Sequence, residues 1–503
     1  MGLGGAKRPR VNLHQEAGGS SNLSDDSLRD ASPTGDTPIL TRTQSQLLSQ
    51  ITTREDHTYK LYKRRFFGLA QLILLNIVVS WDWIAFAPVS TTAATYFNTT
   101  ESVINWVSTV FLFAFCVATP FTFWALNTRG PKFSIIVAAC LLLVGSWVKY
   151  GGTRANNFGP VMLGQLLIGF AQPFVLAAPA TYSNLWFNAS GRTTATAVAS
   201  LANPFGAALG QLISPFWASK PSDIPNMILY ISIISSVACI PAFFIPARPP
   251  TPPTAANASV PNESISAILA DLKKLVTSLE FLLIYSSFSI YVGFFNAFSS
   301  LLNQILEPYG FTETEAGLAG AVLIVVGLVS AAISSPLIDK YKFYLIYIKI
   351  AVPVIALSYL VFIWAPPSRS VPYAFLICGV LGAASFGLVP VALEFLVEIH
   401  YPLGPELAST ACWSGGQLLG GIFILIMDAL RKGSGGDPPY NMQKALYFQA
   451  VVALAVMPLP LCLGLFGRKG HVRRKRWESE RSGMEGREEV VSVEGGERGQ
   501  ARI

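Results

Sequence analysis

From Arg65 onward the sequence repeats one pattern, an apolar run of roughly 20 to 30 residues followed by a short polar connection. An α-helix rises about 1.5 Å per residue, so each run can cross a hydrocarbon core of about 30 Å. The pattern predicts twelve helices, near 66–94, 103–126, 133–150, 160–186, 193–217, 225–246, 277–306, 314–338, 343–365, 371–399, 407–430 and 443–467. The first, seventh and tenth are long enough to tilt or bend. The expected fold class is therefore all-α, a polytopic membrane protein with twelve transmembrane helices.

The polar stretches divide these helices. Met1 to about His57 is rich in Gly, Ser, Thr, Asp and Gln and lacks both apolar periodicity and the apolar core of a signal peptide, so 1–62 reads as a disordered cytoplasmic tail. Ser32-Pro33 and Thr37-Pro38 are candidate phosphorylation sites within it. A Pro-rich cytoplasmic linker, 247–276, ends in a short amphipathic piece with Lys273 and Lys274, and separates a six-helix bundle at 63–246 from another at 277–467. Residues 468–503 begin with a basic cluster suited to anionic headgroups and continue as a mixed-charge cytoplasmic tail.

An internal repeat supports two related halves. Arg129 has a counterpart at Lys340, Pro179 at Pro390, and the Gly206/Gly210 pair at Gly416/Gly420, with offsets of 211, 211 and 210. Anchors at one spacing in corresponding segments imply six-helix units related by an axis along the membrane normal. The glycine pairs also have a plainer role, letting helix backbones approach closely.

Composition agrees with the pattern: 51% of residues are hydrophobic and only 13% charged. The net charge of +7 arises mainly at the edges of apolar runs, which matches a bilayer rim rather than a nucleic acid. With both termini cytoplasmic, the inner connections carry about 18 Lys and Arg against about seven outside, the exceptions being Lys149, Arg154 and the Arg431-Lys432 pair. This orientation leaves Asn98-Thr99-Thr100 as the outward glycosylation sequon, with Asn188, Asn257 and Asn262 on the cytoplasmic side. Six cysteines in apolar runs, without paired spacing, read as packing residues.

Several chemistries lack their residues. The histidines are His14, His57, His400 and His471, in tails or at a helix end, so no mid-membrane haem ligand or histidine relay is expected. The sequence contains no GxxxxGK followed by Ser or Thr and no histidine-centred hydrolytic constellation, so neither an ATP-driven pump nor an enzyme is expected. No metal site or cofactor is signalled.

Polar residues inside the apolar runs are the candidate site. An intramembrane carboxylate is costly, and Asp82 reads either as a counter-ion or proton site or as half of a buried structural pair. Trp83 either faces a site or belongs to an interfacial belt. Gln172, beside Pro173 in the fourth helix, and Gln417 in the eleventh either line a path or hydrogen-bond neighbouring helices. Glu394 and Glu398 are one turn apart on the tenth helix. Glu398, close to its end, is expected to pair with the Lys340 or Lys342 turn.

The strings AQPFVLAAPATYSNLWFNASGRTTATA, WALNTRGPK, FFNAFSSLLNQIL and VALEFLVEIHYP resemble the feline leukaemia virus subgroup C receptor-related branch of the major facilitator superfamily, over about residues 62 to 467. The resemblance implies a twelve-helix transporter of choline or ethanolamine, with a haem-related role or pyridoxine transport in other members. It places the family's substrate tryptophan on Trp83 and its glutamines on Gln172 and Gln417. A tyrosine of the choline-transporting members falls on Asn296, which removes one aromatic wall for a quaternary ammonium; Phe294, Phe295 or Phe298 would have to replace it. An aspartate usual in the turn after the second helix is Asn127.

The expected function is secondary or facilitative transport of a small organic solute by alternating access, with a receptor or scramblase on the same scaffold as the alternative. Asp82, Trp83, Gln172, Asn296 and Gln417 are the expected solute-binding residues, and Arg129, Arg192, Lys340, Glu394 and Glu398 the gating or coupling ones. The expected partners are the solute, cationic in one reading, and the lipid bilayer. The protein is expected as a monomer, in the plasma membrane rather than a vacuole or lysosome.

Overall fold

The computed structural model describes residues 61–251, 265–341, 343–400 and 405–463. The tail sites Ser32 and Thr37, the sequons at Asn257 and Asn262, and Lys342 lie outside the described residues. All regular structure among the described residues is helical.

The first apolar run forms α1 (Arg64–Ile84), a one-turn 3₁₀ segment at Ala87–Val89, and α2 (Ser90–Phe97). Pro88 explains the interruption, since it has no N–H to continue the helix. The following runs form α3 (Glu101–Arg129), α4 (Pro131–Arg154), α5 (Phe158–Leu176), α6 (Ala178–Trp186), α7 (Ala189–Trp217) and α8 (Ile224–Cys239). Gly130, with φ of 79°, turns the chain between α3 and α4 in a conformation that favours glycine. The fourth run is broken where Pro179 opens α6.

After the amphipathic α9 (Ile265–Val276), α10 (Leu279–Leu306) begins the second half. It is followed by α11 (Glu313–Tyr341), α12 (Tyr344–Phe362), α13 (Ala365–Ser368), α14 (Val371–His400), α15 (Pro405–Ala429), α16 (Gln443–Val456) and α17 (Pro458–Leu461).

Eleven of the twelve expected spans are long and apolar enough to cross a bilayer. The exception is the fifth. Its helix, α7, is 29 residues long, but Thr194, Thr196, Ser200, Asn203 and Gln211 make it too polar to qualify. The outer surface suits lipid, with Phe121, Val237, Ile350, Leu376 and Val451 all more than half exposed.

The two glycine pairs do equivalent jobs. A methyl group at Gly206 would fall 2.0 Å from the carbonyl oxygen of Ile77, and one at Gly416 2.5 Å from Val292 Cγ1. They let α7 close on α1 and α15 close on α10. Between the halves, α7 packs on α11 and α15 on α3.

Candidate solute site

A cavity of about 980 Å³ runs from mid-helix toward the end of the molecule that carries Arg129, bounded by α1, α3, α5 and α7 on one side and α10, α11, α12, α14 and α15 on the other. Trp83, Gln172, Asn296 and Gln417 all line it, as do Arg192 and Glu394. Thr194 and Ser200 line the same cavity and are exposed, so it is open to solvent at that end.

The wall is mostly apolar. Trp83 stacks on Phe111 with centroids 5.7 Å apart, and its Nε1 is buried with no hydrogen-bond partner. Phe288 meets Trp413 edge to face at 5.6 Å, and Phe295 meets Phe386 at 5.1 Å, all four on the lining. Of the three phenylalanines considered for the missing tyrosine, only Phe295 reaches the cavity. Phe294 and Phe298 pack fully buried against Tyr359.

Two sets of amides interrupt this surface. Gln172 Nε2 donates to Asn203 Oδ1 at 3.2 Å, and Asn203 Nδ2 reaches Asn76 at 3.4 Å. Gln172 Oε1 remains buried and without a partner. In the second half, Asn296 Nδ2 donates to Gln417 Oε1 at 2.9 Å. Gln172 and Gln417 thus each line the cavity and also hydrogen-bond a side chain on a neighbouring helix.

Asp82 departs from expectation: it is not on the cavity. It is 1% exposed and pairs with Lys149 Nζ at 2.6 Å, while Ser146 Oγ donates to its other oxygen at 2.9 Å. Lys149 is therefore no loop residue either. Its place among the outward basic residues was a misreading of a fully buried side chain that finds its counter-ion inside the protein.

The end opposite Arg129 is closed by polar contacts between the halves. Arg431 pairs with Glu101, Thr91 Oγ1 bonds both Glu101 and Glu307, and Thr92 donates to Glu313 at 2.7 Å. Deeper, Asn105 and Gln304 exchange two hydrogen bonds, and Asn105 and Ser102 both reach Asp428. In the sequence Arg431 stands out only as an exception to the charge tally, and these acids look like ordinary charges near the ends of apolar runs.

The remaining expected residues scatter. Arg129 and Lys340 are exposed in the last turns of α3 and α11, and neither forms an ion pair among the described residues. Glu398 is 6% exposed, off the cavity, with Oε2 unpartnered rather than paired with Lys340. Asn98 is exposed, in a left-handed conformation just after α2.

A cavity between two glycine-clamped helix sets, open at one end and latched at the other, is a transporter's geometry. The sequence profile of the Major Facilitator Superfamily matches residues 72–424. The chain belongs to that superfamily. Within it the chain falls in the branch related to the feline leukaemia virus receptors. It is 32% identical over 379 residues to solute carrier family 49 member A3 of Danio rerio, covering 74% of this chain and 80% of that one. A choline/ethanolamine transporter of Felis catus is 29% identical over 385 residues, covering 74% and 68%. Among solved structures, a bacterial homologue of the human lysosomal transporter Spinster, inward-facing and unoccupied, aligns with a TM-score of 0.62 at 13% identity over 80% of this chain and 97% of that one. The major facilitator protein described here is a multi-pass membrane transporter of a small solute.

Asn203 was missed by the sequence reading, although it stands beside Pro204 in the fifth run as Gln172 stands beside Pro173 in the fourth. An amide next to a proline inside a helix was the available signal.

Proposed function

We propose that the cavity carries a choline- or ethanolamine-like solute, and that Trp83, Gln172, Asn296 and Gln417 contact it. The observation that carries this reading is the presence of an unpartnered donor, Trp83 Nε1, and an unpartnered acceptor, Gln172 Oε1, on a mostly apolar wall that also holds Phe111, Phe288, Phe295, Phe386 and Trp413. Aromatic faces attract a desolvated cation by about 0.5 to 2 kcal/mol each. Gln172 Oε1 suits a hydroxyl or ammonium hydrogen, and Glu394 adds a carboxylate to the lining. Relatives named as choline/ethanolamine transporters support the same class.

The bundles at 63–246 and 277–467, joined by the 247–276 linker, act as the two rocking units of a monomer. The Arg129 end is open and the Arg431 end latched; rocking reverses this, with Arg192 and Glu394 at the mouth that closes. Both termini face the cytoplasm, Asn98 is the glycosylated asparagine, and the membrane is the plasma membrane.

The test is uptake of labelled choline and ethanolamine into proteoliposomes holding the full chain. Saturable uptake whose efficiency Trp83→Ala lowers about tenfold or more is expected. Uptake of pyridoxine instead, with choline and ethanolamine ignored, would replace this cargo.

A further inference from the structure

The Asp82–Lys149 network lies off the cavity, yet it grips the main chain that carries Trp83. Helix α1 ends at Ile84, one residue beyond Trp83, and Pro88 prevents its continuation. The carbonyls of a helix's last turn lack intrahelical donors, and water is absent at this depth to replace them. Two side chains supply the donors. Lys149 Nζ reaches the Asp82 carbonyl at 3.0 Å, and Gln165 Nε2 reaches the Trp83 carbonyl at 3.3 Å.

The two donors are themselves tied together. Lys149 Nζ donates to Gln165 Oε1 at 2.8 Å and to Asp82 Oδ1 at 2.6 Å, so its three protons have three acceptors. Gln165 and Lys149 are both fully buried, and neither lines the cavity. A cation at a helix C-terminus also opposes the negative end of the helix dipole.

We propose that Lys149 and Gln165 are positioning residues for Trp83, capping the broken end of α1 so that the indole stays fixed on the cavity wall. The proposal rests on the reading of Trp83 as a solute contact, but its main test does not depend on the cargo. Full-length protein labelled with 5-fluorotryptophan gives a Trp83 fluorine resonance, identified by its loss in Trp83→Phe. Gln165→Leu removes the bond to the Trp83 carbonyl and leaves the ion pair. The double variant Asp82→Leu/Lys149→Met removes the other cap and leaves no unpaired buried charge. Ser146→Ala touches neither carbonyl and is the control.

The expected result is a Trp83 resonance that moves or splits in Gln165→Leu and in the double variant but not in Ser146→Ala. The KM for labelled choline should rise roughly fivefold in both, with Vmax within about twofold of wild type. A resonance unmoved in the folded variants overturns the proposal, whatever the loss in melting temperature. Failure of both variants to fold also counts against it, because a positioning role leaves the fold standing. Absence of choline uptake by wild type, or a wild-type KM in Trp83→Ala, overturns the solute reading alone and leaves the fluorine result to decide this one.

Discussion

Two polar clusters lie within the helical core, and they are finished differently. Around Asp82, Lys149 has an acceptor for each proton and Ser146 covers the second carboxylate oxygen. Around the cavity, Trp83 Nε1, Gln172 Oε1 and Arg192 Nε are left over. A buried polar group without a partner costs about 1–3 kcal/mol, so it is kept where something else satisfies it part of the time. Glu398 Oε2 is unpartnered too but lies off the cavity, so an open hydrogen-bonding position points to a solute contact only where the atom also belongs to the cavity wall.

The contrast can be broken most forcefully at Lys149. Lys149→Ala leaves Asp82 charged and unpaired, a loss of about 3–5 kcal/mol, and should remove most monodisperse protein on size-exclusion chromatography. Asp82→Ala in the same chain should restore much of it; an undiminished yield from the single variant would erase the distinction. Trp83→Ala should do the opposite, keeping wild-type yield while lowering the efficiency of choline uptake about tenfold or more. Gln172→Leu sharpens the point further. Uptake should weaken about fivefold, with a melting temperature close to wild type because loss of the unpartnered carbonyl offsets loss of the bond to Asn203.

A milder effect is expected from the latch. Arg431→Gln should favour the opposite opening, read as about a fivefold faster modification of a cysteine placed at Ser90 by a membrane-impermeant reagent; an unchanged rate would separate the Arg431–Glu101 pair from closure. Asn98→Gln should leave transport untouched and abolish the glycosidase-sensitive band shift. A shift persisting in that variant would reverse the assignment of ends.

Much of the architecture was legible because membrane length and apolarity are local properties of the chain. The positions of Gln172 and Gln417 on the cavity wall were legible for a related reason, since an amide inside such a run needs an explanation of its own, whereas Asn296 was named through the family resemblance, which also pointed to Trp83. Asp82 looked the same on this criterion. Its partner lies 67 residues away, on α4, and appeared only as a lysine near the end of an apolar run. The latch was hidden likewise, since Glu101 and Arg431 are 330 positions apart (431 − 101) and each alone resembles an ordinary charge at a helix end. Sequence displays which residues are expensive to bury; only packing displays which have been matched.

The polarity of α7 has a consequence before the protein is finished. Segments entering the bilayer during synthesis partition by their own apolarity, and Asn203, Gln211 and the hydroxyls of α7 weigh against it. This segment is expected to enter as a hairpin with a more apolar neighbour, held until Gly206 can seat it on α1. The side chains that shape the cargo's path thus make its wall the most dependent passenger of biogenesis.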